Sequence, residues 1–251
     1  MGNDIVIKTP QEIGIMREAG EKAATVLRVV CEAIRPGVTT QELDDLALDT
    51  MEALGVKSAF LGYMGYPAQT CISVNETVIH GIPSSRKIQE GDIVSVDVGV
   101  WHGGFVGDNA KTVMVNVTDP KVEALVLNTE QALLDAIAEA KPGARLGDVS
   151  HAVEKRANRS RLSIVREFVG HGCGRDMHEE PQVPNFGPAG RGPVLKEGMV
   201  ICIEPMLNLG ARRIRTLADG WTVVTTDGKP SAHFEHMIAI TSDGAEILTP
   251  R

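Results

Sequence analysis

Four carboxylates and one imidazole stand out along the chain. They are Asp97 in DIVSVDVGV, Asp108 in GGFVGDNAKT, His171 in VREFVGHGCG, Glu204 in GMVICIEPM and Glu235 in HFEHMIAI. Together they form an oxygen-rich, hard ligand set. Such a set suits two divalent ions sharing bridging carboxylates, and two ions can activate one water between them. A water-activating site with no separate nucleophile points to hydrolysis. Taken singly, each residue has a plainer reading. Asp97 alone reads as a turn or capping residue, although in a buried strand its carboxylate needs a cation or several donors. Asp108, close behind Gly103, Gly104 and Gly107, reads even more readily as a turn aspartate. The case rests on acids embedded in or beside apolar strands, taken jointly.

VGHGCGRDMHEEP is the other dense segment. Its glycines at 170, 172 and 174 are expected to let the backbone turn sharply and aim His171 and His178 into one cleft. A metal or acid–base site there and a structural role are evenly balanced. It is not an H-E-x-x-H helix, because Gln182 stands at the last position and Pro181 would break the helix. Cys173 lacks an orienting partner and makes a poor candidate nucleophile. In HFEH, strand alternation places Glu235 and His233 on one face and His236 on the other. Glu235 is the ligand candidate, and the two histidines read as supporting or surface residues. His80 precedes a Gly-Ile-Pro turn. The only two tyrosines, Tyr63 and Tyr66, share the segment FLGYMGYP. With Phe60, Cys71 and Trp221 they could wall an apolar pocket, or equally form a small cluster under a loop. GDNAKT lacks the glycine of a P-loop, and neither G-x-G-x-x-G after a strand nor G-x-S-x-G occurs.

Composition narrows the class further. Hydrophobic residues make up 43% and charged residues 23% of 251 positions, as in ordinary globular proteins. A net charge of -8 without a Lys/Arg run argues against nucleic acid or an anionic membrane as main partner. Four scattered cysteines, with no C-x-x-C, exclude a zinc finger and fit reduced thiols in a cytosolic compartment. MGNDIVIKTP has no apolar stretch of a signal peptide, and Val6 argues against myristoylation. No apolar run is long enough to span a membrane.

The elements that must position these residues follow from periodicity and caps. Thr9, Pro10 and Glu12 predict a capped helix start, with apolar residues at helical spacing until Pro36-Gly37. A second T-x-x-E, from Thr39 to Glu42, opens a helix running to Leu54-Gly55. Residues 59–79 read as strand and loop. Strands are expected at 92–100 and 111–117, with a glycine-rich turn between. Asp119-Pro120 opens a third helix to about Ala140, and a fourth covers roughly 146–160. Strands and glycine-rich loops follow. This order repeats itself. IRPGVTTQELDDLALDTMEALG resembles AKPGARLGDVSHAVEKRANRS, and EGDIVSVDVG resembles EGMVICIEPM. Pro36 matches Pro142, and Asp97 matches Glu204 at nearly the same offset. The reading is one domain over 1–251 built from two related halves, about 10–118 and 119–245.

As a set, SAFLGYMGYPAQTCISVNETVIHGIP, GDIVSVDVGVWHGGFVGDNAKTVMV, VGHGCGRDMHEEPQVPNF, GMVICIEPM and HFEHMIAI closely resemble type I methionine aminopeptidases of the short bacterial form. The resemblance covers nearly the whole chain. It implies an α+β (two-layer α/β) pita-bread fold: a curved, mostly antiparallel sheet backed by helices, with pseudo-two-fold halves. It implies two divalent ions, Co, Mn, Fe or Zn, held by Asp97, Asp108, His171, Glu204 and Glu235, with Asp108 and Glu235 bridging. It implies catalytic roles for Glu204, His178 and His80, the two histidines contacting the substrate. Tyr63, Tyr66, Cys71 and Trp221 match the methionine side-chain pocket. Phe60 stands where a smaller residue is usual, and Met177 where an aromatic is common. The implied activity is removal of N-terminal methionine before a small second residue, a rule that Met1-Gly2 of this chain itself fits. Expected partners are peptides and nascent chains beginning with Met, including at the ribosome, with no direct nucleic-acid or membrane binding. The expected state is a cytoplasmic monomer. X-Pro peptidases share the implied fold but usually carry a domain before the catalytic one, for which a first helix at residue 9 leaves no room. Non-catalytic relatives of the fold lose metal ligands, and all five remain here.

Overall fold

The computed structural model describes residues 4–250. Met1-Gly2, whose order fits the cleavage rule, lies outside the described residues.

Four helices form where the caps predict them: α1 Pro10–Ala33, α2 Thr40–Ala53, α3 Pro120–Glu139 and α4 Leu146–Arg159. Thr9 Oγ1 accepts from the Glu12 N–H at 3.3 Å, and the Glu12 carboxylate accepts from the Thr9 N–H at 2.9 Å. Thr39 and Glu42 repeat the arrangement at 3.1 and 2.7 Å. Each cap satisfies backbone donors that a helix start leaves open, worth about 1 kcal/mol.

Among the described residues there are also fifteen strands and one 3-10 turn, Tyr63–Gly65. The first half holds β1 Lys57–Ser58, β2 Cys71–Val74, β3 Thr77–Ile79, β4 Ile93–His102 and β5 Phe105–Met114. The second holds β6 Ser163–Ile164, β7 Gly170–Gly172, β8 Glu179–Val183, β9 Val200–Ile203, β10 Met206–Asn208, β11 Ile214–Thr216, β12 Val223–Thr225, β13 Ser231–His233, β14 Glu235–Thr241 and β15 Gly244–Ile247. The principal sheet has nine strands, seven of them in the order β1-β4-β5-β14-β9-β7-β8. β2 pairs β4, and β15 pairs β14. Every pairing is antiparallel. The order is symmetric about the β5–β14 seam. β4, carrying Asp97, corresponds to β9, which leads into Glu204; β5, carrying Asp108, corresponds to β14, which begins at Glu235.

Alternation along these strands splits the interior by face. Val94, Val96, Val98 and Val100 of β4 pack with Ala23, Leu27 and Val30 of α1 and Leu43, Ala47 and Met51 of α2. Ile201 and Ile203 of β9 and Ile238 and Ile240 of β14 pack with Leu125, Leu133 and Ala136 of α3 and Val149 and Val153 of α4. Each half thus has its own core between sheet and helices. The intervening residues, including Cys71, Cys202 and Met237, face the other side.

One boundary differs from expectation. The strand expected at 111–117 runs from Phe105 to Met114, because the turn needs only Gly103 and Gly104, both at positive φ. Asp108 therefore sits inside a strand, opposite Gly99, and not in a turn.

Candidate metal centre

The parity that buries the valines against the helices sends the acids to the opposite face. Asp97 pairs across to Ala110 and to Cys71, Asp108 to Gly99, and Glu235 to Ala110. His171 on β7 stands opposite Cys202 on β9, and Glu204 follows on the same face two residues later. Ligand atoms of Asp108, His171, Cys202 and Glu235 lie within 4.8 Å of one another. His171 Nε2 is 3.5 Å from Glu204 Oε1 and 4.0 Å from Asp108 Oδ2.

The donor set fits divalent cations. The His171 Nδ1–H donates to the Gly172 carbonyl at 2.9 Å, which leaves the Nε2 lone pair aimed at the carboxylates. Burial holds the ring neutral, with its pKa lowered to about 3. Oδ1 of Asp97 and Oδ1 of Asp108 are buried without a hydrogen-bond partner. Burial first, then the Asp108 charge, pushes Asp97 well above the usual carboxylate range. Burial raises Asp108 to about 7. Burial, with the neighbouring acids, does the same to Glu204 and Glu235. Four carboxyls crowded into a dry site cannot all ionise unless cations compensate them.

These residues form one wall of a cavity of about 280 Å³. The four acids and the imidazole above line it, with His80 and His178, and with Phe60, Tyr63, Tyr66, Cys71, Met177 and Trp221; Cys173, His233 and His236 do not. The His178 ring meets the His171 ring edge-on at 4.3 Å between centroids. His80, in the left-handed region at φ 57°, packs edge-on against Phe168 and Trp221. Burial lowers its pKa to about 4. Trp221 also meets Tyr66 edge-on at 5.1 Å, and the Tyr66 hydroxyl donates to the carbonyls of Thr70 and Gly81. The Phe60 ring lies where a Cβ on Gly99 would fall. The bare glycine beside Asp108 is therefore what admits a phenylalanine at that position. The tyrosines line a cavity, not merely a cluster under a loop.

Two expectations about local geometry are corrected. Gly170 and Gly172 lie in β7 and not in a turn; only Gly174 enters the bend that leads to His178. All three allow close approach: a Cβ would strike the Cys202 carbonyl at Gly170, the Glu180 carbonyl at Gly172 and the Glu179 carboxylate at Gly174. His233 and Glu235 do not share one strand, because the chain passes from β13 to β14 at Phe234. His233 is only 2% exposed, and its Nε2 lies 3.7 Å from Glu204 Oε2. His236 is buried, with Nδ1 2.9 Å from Thr249 Oγ1. Neither histidine is a surface residue.

Cys202, Phe168, Val169 and Ile79 also line the centre or its cavity without standing out by type and spacing. Cys202 carried one usable signal, its two-residue separation from Glu204 on an apolar strand. Burial raises its thiol pKa well above the ordinary value, so it stays protonated and is the weakest donor of the group.

A nine-stranded antiparallel sheet with two backing helix pairs, closing over four acids and a histidine, defines a metallohydrolase architecture. Residues 14–242 match the model of metallopeptidase family M24, and the chain belongs to that family. It is 49% identical over 246 residues to methionine aminopeptidase 1 of Bacillus subtilis, covering 98% of this chain and 99% of that one. The crystal structure of methionine aminopeptidase from Thermotoga maritima superposes with a TM-score of 0.97 at 49% identity, covering 99% of this chain and all of the other. Prolidase from Pyrococcus furiosus, at 24% identity and a TM-score of 0.77, shares the fold alone.

Proposed function

We propose that this chain removes N-terminal methionine from peptides and nascent proteins, with a small second residue preferred. The observation that carries the reading is the shared cavity. Its floor is the acid and imidazole cluster, and its wall is an apolar slot of Phe60, Tyr63, Tyr66 and Trp221. Such a slot accepts a flexible thioether chain, and the cramped floor disfavours a bulky second side chain.

Asp97, Asp108, His171, Glu204 and Glu235 would hold two divalent ions. Co, Mn, Fe and Zn all suit this donor set. When bound, the ions supply Lewis acidity at the cavity floor. Glu204, between His171 and His233, takes the proton of the attacking water and passes it to the leaving amine. His178 donates a hydrogen bond to the carbonyl oxygen as charge develops there. His80, held by Phe168 and Trp221, hydrogen-bonds the scissile amide. The continuous principal sheet supports residues 1–251 acting as one catalytic domain of two halves. The reading extends to a cytoplasmic monomer working on chains leaving the ribosome; the four free cysteines fit a reducing compartment.

Hydrolysis of Met-Gly-Met, Leu-Gly-Met, Met-Lys-Met and Ala-Pro, measured side by side in the metal-loaded enzyme, tests this reading. Met-Gly-Met is expected to be cleaved fastest and Ala-Pro not at all. Equal rates on Leu-Gly-Met or Met-Lys-Met would remove the pocket assignment, and preference for Ala-Pro would place the chain among X-Pro peptidases.

A further inference from the structure

His178 is fixed by two independent devices, and only one of them acts on its ring. Its backbone is pinned through Glu179. The Glu179 carboxylate accepts from the N–H groups of Arg175 and Asp176, at 2.8 and 3.3 Å, and pairs with the buried ammonium of Lys8. None of these bonds sets the imidazole. Among the described residues the ring has one hydrogen-bond partner, the Tyr63 hydroxyl, 2.6 Å from Nδ1.

The chain goes to some length to place that hydroxyl. Ser58 Oγ anchors the base of the loop, accepting from the N–H groups of Phe60 and Leu61 and donating to the Gln69 carbonyl. At the tip, Gly62 is at φ 82° and Met64 at φ 48°. A methionine in the left-handed region is uncommon, and such strain persists only where its surroundings enforce it. The result leaves Met64 at the cavity's rim, 82% exposed, and sets Tyr63 over His178.

We infer that Tyr63 is a positioning residue for the reaction, not only a wall of the methionine slot: its phenol donates to His178 Nδ1 and thereby fixes the ring proton on Nε2. A neutral imidazole has one N–H, and occupying Nδ1 as an acceptor leaves Nε2 as the donor toward a bound peptide. The orienting bond also stops rotation of the ring about its last torsion. This inference rests on the reading of His178 as the donor to the developing oxyanion.

A double-mutant cycle with Tyr63→Phe and His178→Ala tests it, because phenylalanine keeps the ring in the slot and removes only the hydroxyl. For Met-Gly-Met, Tyr63→Phe is expected to lower kcat about 10-fold, the lower end of losses seen when an orienting partner is removed. KM and bound metal per chain should stay unchanged. In the His178→Ala background the same substitution should have almost no effect on kcat. Equal slowing in both backgrounds, or a raised KM with kcat unchanged, would show that Tyr63 acts on the substrate directly and would overturn the inference. If His178→Ala alone leaves kcat intact, the assignment of His178 falls, and the inference with it.

Discussion

Asp108→Asn should stabilise the metal-free protein, and increasingly so as pH rises. Asp108 is 3% exposed, and burial raises its pKa from 3.8 to about 7. A carboxyl whose pKa is higher in the folded state than in the unfolded chain binds its proton more tightly when folded. It therefore costs stability above the unfolded value, and the cost grows until pH passes the folded value. At about 1.4 kcal/mol per pH unit, the cost is about 1.5 kcal/mol at pH 5 and about 4 kcal/mol at pH 8. Burial also pushes Asp97, Glu204 and Glu235 well above the usual carboxylate range, and the Asp108 charge adds to each rise. Removing that charge relieves these neighbours, which moves the comparison in the same direction. Urea unfolding of chelated wild type and Asp108→Asn at pH 5 and pH 8 should therefore give a stability difference that moves in favour of the variant by about 2–3 kcal/mol. Any constant penalty from an unpaired amide drops out of that change. Adding Mn²⁺ at pH 8 should stabilise wild type strongly and the variant little, since a bound ligand favours the folded state that holds it. A pH-independent difference, or a variant that loses ground as pH rises, would refute the account of Asp108 as an uncompensated carboxylate awaiting a cation.

Two further outcomes follow from the same geometry. His171→Ala removes the imidazole whose Nε2 faces both Asp108 and Glu204. It should lower metal content, measured by elemental analysis after dialysis, and abolish nearly all cleavage of Met-Gly-Met; full metal occupancy in the variant would exclude His171 as a ligand. Gly170→Ala places a Cβ on the Cys202 carbonyl and against Val183, forcing β7 away from β9. That overpacking should cost about 1–3 kcal/mol in chemical denaturation, and an unchanged midpoint would mean that the strands part freely.

The helices and their limits were legible because their signals are local. Thr9 with Glu12, Thr39 with Glu42, and the proline–glycine stops act within a few residues of where they stand in the sequence. The five candidate ligands were legible for a different reason: acids inside apolar strands are expensive, so their presence itself argues for a cation. The repeat from Pro36 to Pro142 and from Asp97 to Glu204 foreshadowed the symmetric strand order. Local signals failed wherever a distant strand decided the outcome. Asp108 sits among glycines and looks like a turn residue. It is a strand residue because β4 offers ten consecutive partners and only two glycines are needed to reverse the chain. Gly170 and Gly172 look like turn residues, but they lie in β7, where the carbonyls of Cys202 and Glu180 on neighbouring strands exclude side chains.

What the sequence determined by itself was the chemistry available: hard oxygen donors, one imidazole of the right kind, two tyrosines in one segment, and elements able to carry them. What tertiary structure decided was which atoms meet. The antiparallel register put Asp97, Asp108, Glu235 and Glu204 on one face, and the passage from β13 to β14 put His233 and Glu235 on different strands while leaving His233 beside Glu204. A strained loop brought the Tyr63 hydroxyl to His178, across 115 residues of chain. Spacing along one strand cannot encode such meetings, because the partner atoms are supplied by other strands, and their distances are set by packing of the whole sheet.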